Sequence, residues 1–571
     1  MTAAEWLATS GDGSFAMGTP GGERTRRYHG LLSASDAGLS DRRVRLAELR
    51  LALDETVLDG SVLAEFSLTD GIPRWRWRVG SVVVERELAL PPGRSVVGVV
   101  DRVLSAPGAV QLRWQAVGGD LRWRWEFPGE LTARRPSRRL RYQYREEAAR
   151  GYPADEDLPV LSEISAEFLP GEALGFVGWL GGEPAEDAAA VIEAARRRSR
   201  GVTASATDAL DAQLLHAADQ FVVTTPAVDV IAGFPWFGAW SRDTLTAYDG
   251  LFLATGRLDE GATLLERLAA TLSDGMLANT TDFGGQDHNT VDAAMWFLHA
   301  VERHLAVTGD LDLGRRLLPG LGSIVEHHLA GTRYGIRVDA DGLITQGAPG
   351  AALTWMDARV DDRAITQRAG KPVEVNGLWV AGLGFLAGLR TQLGEPAHHL
   401  EALYARAAAS FVRRFPLPGG GLADVVDGPA GDDRTLRPNQ LIAAGTAAVP
   451  GLDAAAVARA CAPLVTPLGL RSLGPSEPGY AGRYVGPMPE RDAVYHQGTV
   501  WPWLIGPYVD TLRRAGLPTD EVLAGLESHI PEAGFGSVSE VADGDPPHAP
   551  SGCPFQAWSV AELLRVRRLL G

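Results

Sequence analysis

Two patterns of hydrophobic and polar positions divide this chain. Up to about residue 190 apolar positions alternate with polar ones. Arg74-Trp75-Arg76-Trp77-Arg78-Val79 does so, and so does Leu121-Arg122-Trp123-Arg124-Trp125-Glu126-Phe127. Residues 82–90 and 96–103 are rich in β-branched side chains, and Pro91-Pro92-Gly93 and Gly118-Gly119-Asp120 punctuate them as turns. Short strands with one buried and one wet face predict an antiparallel β-sandwich over residues 1–190. The tryptophan ladder reads as its core rather than as a carbohydrate platform. Residues 187–198 are alanine-rich, and Gly201-Val202-Thr203-Ala204-Ser205 suits a hinge, which predicts a helical linker over 191–205. From 206 to 571 the period becomes helical: 208–221, 242–254, 260–272, 290–307, 376–393, 398–414, 499–515 and 556–570. Neither a parallel βαβ rhythm nor a strict repeat is present. The expected fold is multidomain, α and β, with the sandwich followed by a closed ring of helix pairs whose loops carry the function.

Composition narrows the function. A net charge of −17 argues against nucleic acid as partner and leaves a neutral polymer or small molecule open. No apolar run reaches the roughly 18 residues of a membrane span. The start, Met1-Thr2-Ala3-Ala4-Glu5-Trp6, lacks the basic and apolar regions of a secretory signal, so a cytoplasmic protein is expected. Cys461 and Cys553 make no disulfide framework, and no Cys-His group has zinc spacing, so neither a metal nor an organic cofactor is expected. Lys371 is the only lysine, arginine supplying every other basic side chain. Either it survives by chance or a compact ammonium is needed near the site.

The chemistry concentrates in loops before helices. Phe234-Pro235-Trp236-Phe237 precedes Trp240-Ser241-Arg242-Asp243-Thr244, and His288-Asn289-Thr290-Val291-Asp292 precedes Trp296. Next come Thr354-Trp355-Met356-Asp357, Gly370-Lys371-Pro372-Val373-Glu374 and Arg437-Pro438-Asn439-Gln440. The last are Tyr495-His496-Gln497-Gly498-Thr499-Val500-Trp501, Ser537-Val538-Ser539-Glu540 and Gln556-Ala557-Trp558-Ser559. Taken singly, Asp243 and Asp292 suit helix caps, Trp558 suits a core and His496 a buried hydrogen bond. Together they predict one rim in which Trp236, Trp240, Trp355, Trp501 and Trp558 stack on sugar rings. Arg242, Asp243, Asp292, Lys371, Glu374, Asn439, Gln440, His496, Gln497 and Gln556 would bind hydroxyls. No phosphate-binding glycine loop or serine elbow stands out.

An earlier segment, Gly11-Asp12-Gly13-Ser14-Phe15 leading into Thr25-Arg26-Arg27-Tyr28-His29-Gly30-Leu31-Leu32, is too polar for sandwich filler. His29 has no metal-spaced partner, and a structural role is expected for it.

These motifs, in order and over nearly the whole chain, resemble the bacterial and archaeal glycogen debranching enzymes, the amylo-α-1,6-glucosidases. The resemblance implies a β-sandwich followed by a glucoamylase-like (α/α)6 barrel. It also implies exo-hydrolysis of α-1,6-linked glucose from an α-glucan such as glycogen or branched dextrin, with inversion. By the same resemblance Asp357 corresponds to the general acid and Glu540 to the general base, while Arg242 and Asp243 hold the non-reducing glucose. Ser241 stands where that family usually has glycine. The resemblance leaves out the 4-α-glucanotransferase domain of the eukaryotic bifunctional enzymes, so trimming of branches to single-glucose stubs is expected to fall to another enzyme.

Inversion needs a protonated carboxyl on the leaving oxygen and a carboxylate activating water on the opposite face, about 6.5–9.5 Å apart. Asp357, next to Trp355 and Met356, is expected in apolar surroundings that keep an acid protonated. Glu540, near Ser537, Ser539 and Asp543, is expected in polar company. The alternatives are another exo-acting α-glucosidase, glucoamylase- or trehalase-like or phosphorolytic, and a catalytically silent glucan-binding protein.

Overall fold

The computed structural model describes residues 4–280 and 286–571. The chain forms two compact units, one reaching to Ile231 and including Ile530–Ser537, the other Ala232–His529 with Val538–Gly571.

The first unit is built on two antiparallel sheets. In the larger, the strands run in the order Trp6–Thr9, Phe15–Gly18, Gly30–Ala34, Arg43–Leu53, Val110–Gly118, Asp155–Phe168 and Thr132–Arg134. The other runs Arg122–Glu126, Ala173–Trp179, Val96–Ser105, Val82–Ala89, Ile72–Val79 and Leu63–Thr69. Leu49, Leu51 and Trp114 of the first sheet share one buried cluster with Trp75, Trp77, Leu88 and Val99 of the second. The Trp-Arg alternation thus resolves as strand pleating. Trp75 and Trp77 face inward, while Arg76 reaches out to Glu85 at 2.7 Å and Glu65 at 3.0 Å.

Residues 191–205, expected as a linker, belong to this unit. The helix Ala188–Val202 is capped by Asp187, which accepts from the Ala190 N–H at 2.8 Å. Its Val191 packs on Val96, Val177 and Trp179, and its Ile192 on Ile72 and Ala89. A Cβ at Gly98 would lie 2.8 Å from Val191, so only glycine lets the helix come this close to the strand. A linker cannot bury a face; this segment does, and the division of the chain falls at residue 231 instead.

The polar cluster near residue 26 is structural. Glu5 accepts from Arg26 Nε at 2.7 Å and from His29 Nε2 at 2.5 Å, and His29 Nδ1 accepts from the Thr25 N–H at 3.1 Å. Burial opposes ionisation of Glu5, but Arg26 and His29 hold its pKa down at about 2. The Glu5 backbone donates to Ala533 O at 2.7 Å and accepts from the Phe535 N–H at 2.8 Å, which ties Ile530–Ser537 into the unit.

In the second unit the predicted helices form close to their expected bounds. The set Ser241–Thr246 (continued by the π-turn Asp249–Leu253), Ala293–Thr308, Val373–Gln392, Ile442–Thr446, Ile505–Arg514 and Ala557–Leu570 packs each on the next, and the last on the first. Outside them, Leu258–Ala269 and Leu311–Ala330 pack on Ala293–Thr308, His398–Arg414 on Val373–Gln392, and Ala454–Cys461 on Ile505–Arg514. The reason is legible in side chains. Residues 373–380 and 293–298 are buried on every side, as a central helix requires, whereas Leu258–Ala269 buries one stripe, Gly261, Leu264, Leu265 and Leu268.

Candidate active site

Six chain segments deliver polar side chains to the N-terminal ends of the inner helices, where unpaired backbone N–H groups favour negative charge. Arg242, in the first turn of Ser241–Thr246, is the hub and is only 4% exposed. Its Nε donates to both oxygens of Asp292, at 3.0 and 2.9 Å, and its Nη1 donates to Asp357 Oδ2 at 2.8 Å. Nη2 is buried without a partner among the described residues, which leaves one donor for a ligand hydroxyl. Asp292 occupies the cap position of Ala293–Thr308 but makes no cap bond, its carboxylate being spent on Arg242. Burial pushes the Asp292 carboxyl up even against that guanidinium.

Asp243 is partly buried beside this pair. Burial raises its pKa to about 7; Arg242 opposes the rise, and the carboxylates of Asp357 and Glu540 add to it. Asp243 thus feels the charge of both Asp357 and Glu540. Tyr495 also feels both carboxylates.

The surroundings of the two differ from the expectation. Trp355 and Met356 turn into the core, whereas the Asp357 side chain is 40% exposed and held by Arg242. Burial changes from Met356 to Asp357 within an irregular loop, so sequence neighbours do not supply each other's environment. Glu540, 3% exposed, is held by Tyr495 Oη donating to Oε1 and by the Cys553 N–H donating to Oε2 at 2.8 Å. Ser539 and Asp543 are engaged elsewhere, with His529 and with Arg483. Gly552, at φ +69°, leaves room for that carboxylate, because a Cβ there would lie 2.4 Å from Oε2.

The aromatic residues divide into two groups. Trp236 and Trp240 are half-buried. Trp355, Trp501 and Trp558 are buried at 3%, 2% and 6%, which removes their faces from any sugar. Trp355 stands edge-on to His496, Trp501 and Trp503, each at 5.3 Å, and Trp501 lies over the His496 ring at 5.2 Å. This cluster backs the loops instead of lining a cleft. His496 sits inside it; burial, with nearby arginines, keeps its pKa well below the usual range and the ring neutral.

A second layer fixes the loops. Arg368, 4% exposed, binds Glu374 through Nη2 at 2.7 Å and Asp424 through Nε at 2.7 Å. Asp424 also accepts from Asn439 Nδ2 at 2.7 Å, and Asn439 Oδ1 accepts from Trp355 Nε1 at 2.7 Å. Arg437 donates to His496 O at 2.7 Å and to Gln497 Oε1 at 3.1 Å; Gln497 in turn donates to Thr366 at 2.7 Å. Gln440 accepts from the Leu422 N–H at 2.9 Å. Glu374, Asn439, Gln440 and Gln497 therefore hold the framework. Gln556 is buried with Oε1 unpartnered. Lys371 is not paired with Glu374: its ammonium binds Asp427 at 2.8 Å, Asp341 at 2.9 Å and Asp339 at 3.2 Å. One ammonium drawing three carboxylates from separate loops is a structural clasp. Among the described residues no three His, Cys, Asp or Glu side chains are grouped to hold a metal ion, and no helix is long and apolar enough to cross a membrane.

Tyr495, Arg368, Arg437 and Asp424 were not singled out from sequence. Tyr495 and Arg437 stood inside recognised motifs and could have been; Asp424 carried no local signal.

A family profile described as glycogen debranching enzyme N terminal matches residues 4–119, and one described as amylo-alpha-1,6-glucosidase matches residues 216–565. The glycogen debranching enzyme of Saccharomyces cerevisiae is 24% identical over 457 residues, which takes in 58% of this chain and 30% of the yeast protein. Among solved structures, a bacterial glucoamylase complexed with acarbose superposes over 99% of this chain and 93% of its own, with a TM-score of 0.64 at 12% identity. A mannosylglycerate hydrolase from Thermus thermophilus covers 63% of this chain and 100% of its own, at TM-score 0.49 and 15% identity. The chain shares the glucoamylase fold and, with the second profile spanning more than half its length, belongs to the amylo-alpha-1,6-glucosidase family.

Proposed function

We propose that this protein is an inverting glycoside hydrolase that releases glucose from α-1,6-linked stubs of glycogen or a related α-glucan. In this reading an (α/α)6 barrel carries the site and an N-terminal β-sandwich accompanies it. The barrel reading is supported by the closed round of packing among the six inner helices, each backed by helices outside it.

The observation that carries the chemistry is the convergence of Asp357, held by Arg242, and Glu540, held by Tyr495 and the Cys553 N–H, on the space beside Asp243. Arg242 Nη2 and Asp243 bind hydroxyls of the terminal glucose. Asp357, which reaches solvent, gives its proton to the glycosidic oxygen as the bond from C1 breaks. Glu540 takes a proton from a water whose oxygen forms the new bond to C1 from the opposite face. Two donors on a fixed carboxylate aim it and keep it an acceptor. The product is β-glucose; afterwards Glu540 releases its proton to solvent and Asp357 takes one back from it.

Anomer-resolved proton NMR of the first product from an α-1,6-branched dextrin tests this. β-Glucose appearing first is expected. α-Glucose first would mean retention. Cleavage of linear maltooligosaccharides or trehalose in preference would mean another exo-glucosidase, and glucan binding without release a silent binding protein.

A further inference from the structure

The second unit has a cavity of about 440 Å³, which is within the range of small-molecule sites. Residues along the length of the inner helices line it, from Trp296 in the first turn of Ala293–Thr308 to Leu569 near the end of Ala557–Leu570. Its residues, from Leu245 to Leu569, come from five of the six inner segments, and none of them belongs to the candidate active site.

Its hydrogen-bonding groups are unevenly used. The acceptors are engaged: Asp249 binds Arg303 at 2.7 Å, and Asp510 and Glu562 both bind Arg565, at 2.9 and 2.7 Å. The unused groups are mostly donors. Among the described residues, Trp503, 1% exposed, has no partner for Nε1, and the buried Thr446 Oγ1 has none either. A buried orphan donor is costly unless something answers it. At the mouth, Arg513 and Arg514 are exposed, and neither has an ion-pair partner among the described residues. One last-turn arginine would answer the dipole of Ile505–Arg514; the second, also lining the cavity, leaves guanidinium donors over. Burial holds Glu562 up at about 7, so the wall carries less than its full negative charge at neutral pH. The indole of Trp296 adds an apolar surface.

A surplus of donors calls for a ligand rich in acceptors, with a negative charge at the arginine mouth and hydroxyls toward Trp503 and Thr446. We propose that this cavity is a second ligand site, distinct from the candidate active site, for a small polyol bearing an anionic group, the chemical class of the sugar monophosphates. Trp503 forms its floor and packs at 5.3 Å on both Trp355 and Trp558, so binding is reported by tryptophan fluorescence.

The test is titration of the whole protein with glucose 6-phosphate, inorganic phosphate and glucose, by calorimetry and by fluorescence. The same titrations are made on a variant carrying Arg513→Ala and Arg514→Ala, exposed positions whose loss spares the fold. Glucose 6-phosphate is expected to bind the parent with a fluorescence change, and the variant about tenfold or more weakly. Inorganic phosphate and glucose are each expected to bind more weakly than the ester. No binding at millimolar ligand would overturn the proposal, as would equal affinity in the variant. Phosphate binding as tightly as the ester would also overturn it, the polyol contacts then contributing nothing. The readout is binding alone, so it stands or falls independently of hydrolysis at the candidate active site.

Discussion

Replacing Glu540 by glutamine and by alanine separates its chemistry from its structural load. The carboxylate accepts from Tyr495 on one oxygen and from the Cys553 N–H on the other. Glutamine can present its carbonyl to the fixed Cys553 N–H and its amide to the phenol oxygen, whose own proton can rotate away. Both contacts survive, and the side chain is nearly isosteric. Folding stability of Glu540→Gln should therefore stay within about 1 kcal/mol of the parent. General base function is lost, and turnover should fall by about 10²–10⁴, which is about 3–5 kcal/mol on the barrier. Alanine instead strands two donors in a site 3% exposed, at about 1–3 kcal/mol for each. Glu540→Ala should lose the same turnover and unfold at a distinctly lower urea concentration. The assay is glucose release from a dextrin with single-glucose α-1,6 stubs, paired with urea unfolding of each variant. If Glu540→Gln kept turnover within threefold or so of the parent, Glu540 would not be the base. If both variants lost stability equally, the proposed hydrogen-bond swap would be wrong.

Asp357→Asn should lose about 10²–10⁴ in turnover with little change in stability, since its side chain is 40% exposed and Arg242 keeps Asp292; retained hydrolysis would remove it from the mechanism. Asp243, raised from its ordinary 3.8 to about 7, holds in the folded protein a proton the unfolded chain has released. Its contribution is thus present below about pH 4 and lost as pH rises through about 7. Asp243→Asn should narrow the difference in urea stability between about pH 5 and about pH 8, and an unchanged difference would refute the raised pKa. Lys371→Met leaves Asp339, Asp341 and Asp427 facing one another. It should cost about 1–3 kcal/mol, below the cost of a fully buried pair because the aspartates reach solvent. Turnover per folded molecule should be unchanged, and a fall in turnover without a fall in melting temperature would return Lys371 to the site.

What the amino-acid sequence determined by itself was local. Hydrophobic period placed the strands Ile72–Val79, Val82–Ala89 and Val96–Ser105 and the helices Ala209–Phe221, His398–Arg414 and Ala557–Leu570 to within a few residues. It does so because burial of one face is written at spacings of two to four residues. Motif content marked Arg242, Asp292, Asp357 and Glu540 as chemistry-bearing. Tertiary structure alone decided who meets whom. Arg242 reaches Asp292 across 50 positions and Asp357 across 115, distances over which no periodicity carries information. The indoles make the same point. Trp236 and Trp355 both stand in loops between helices, yet one is half-buried and the other is sealed among Trp501, Trp503 and His496. Only the closing of the inner helices settles which side of a loop is outside. Lys371 was conspicuous as a lone ammonium, but its partners arrive from three positions in two separate loops, and charge along a chain does not say where loops fold back. Residues 191–205 read as a helical linker because 187–198 is alanine-rich and 201–205 suits a hinge. The smallness of Ala188 and Gly98 instead lets the helix lie flat on the sheet.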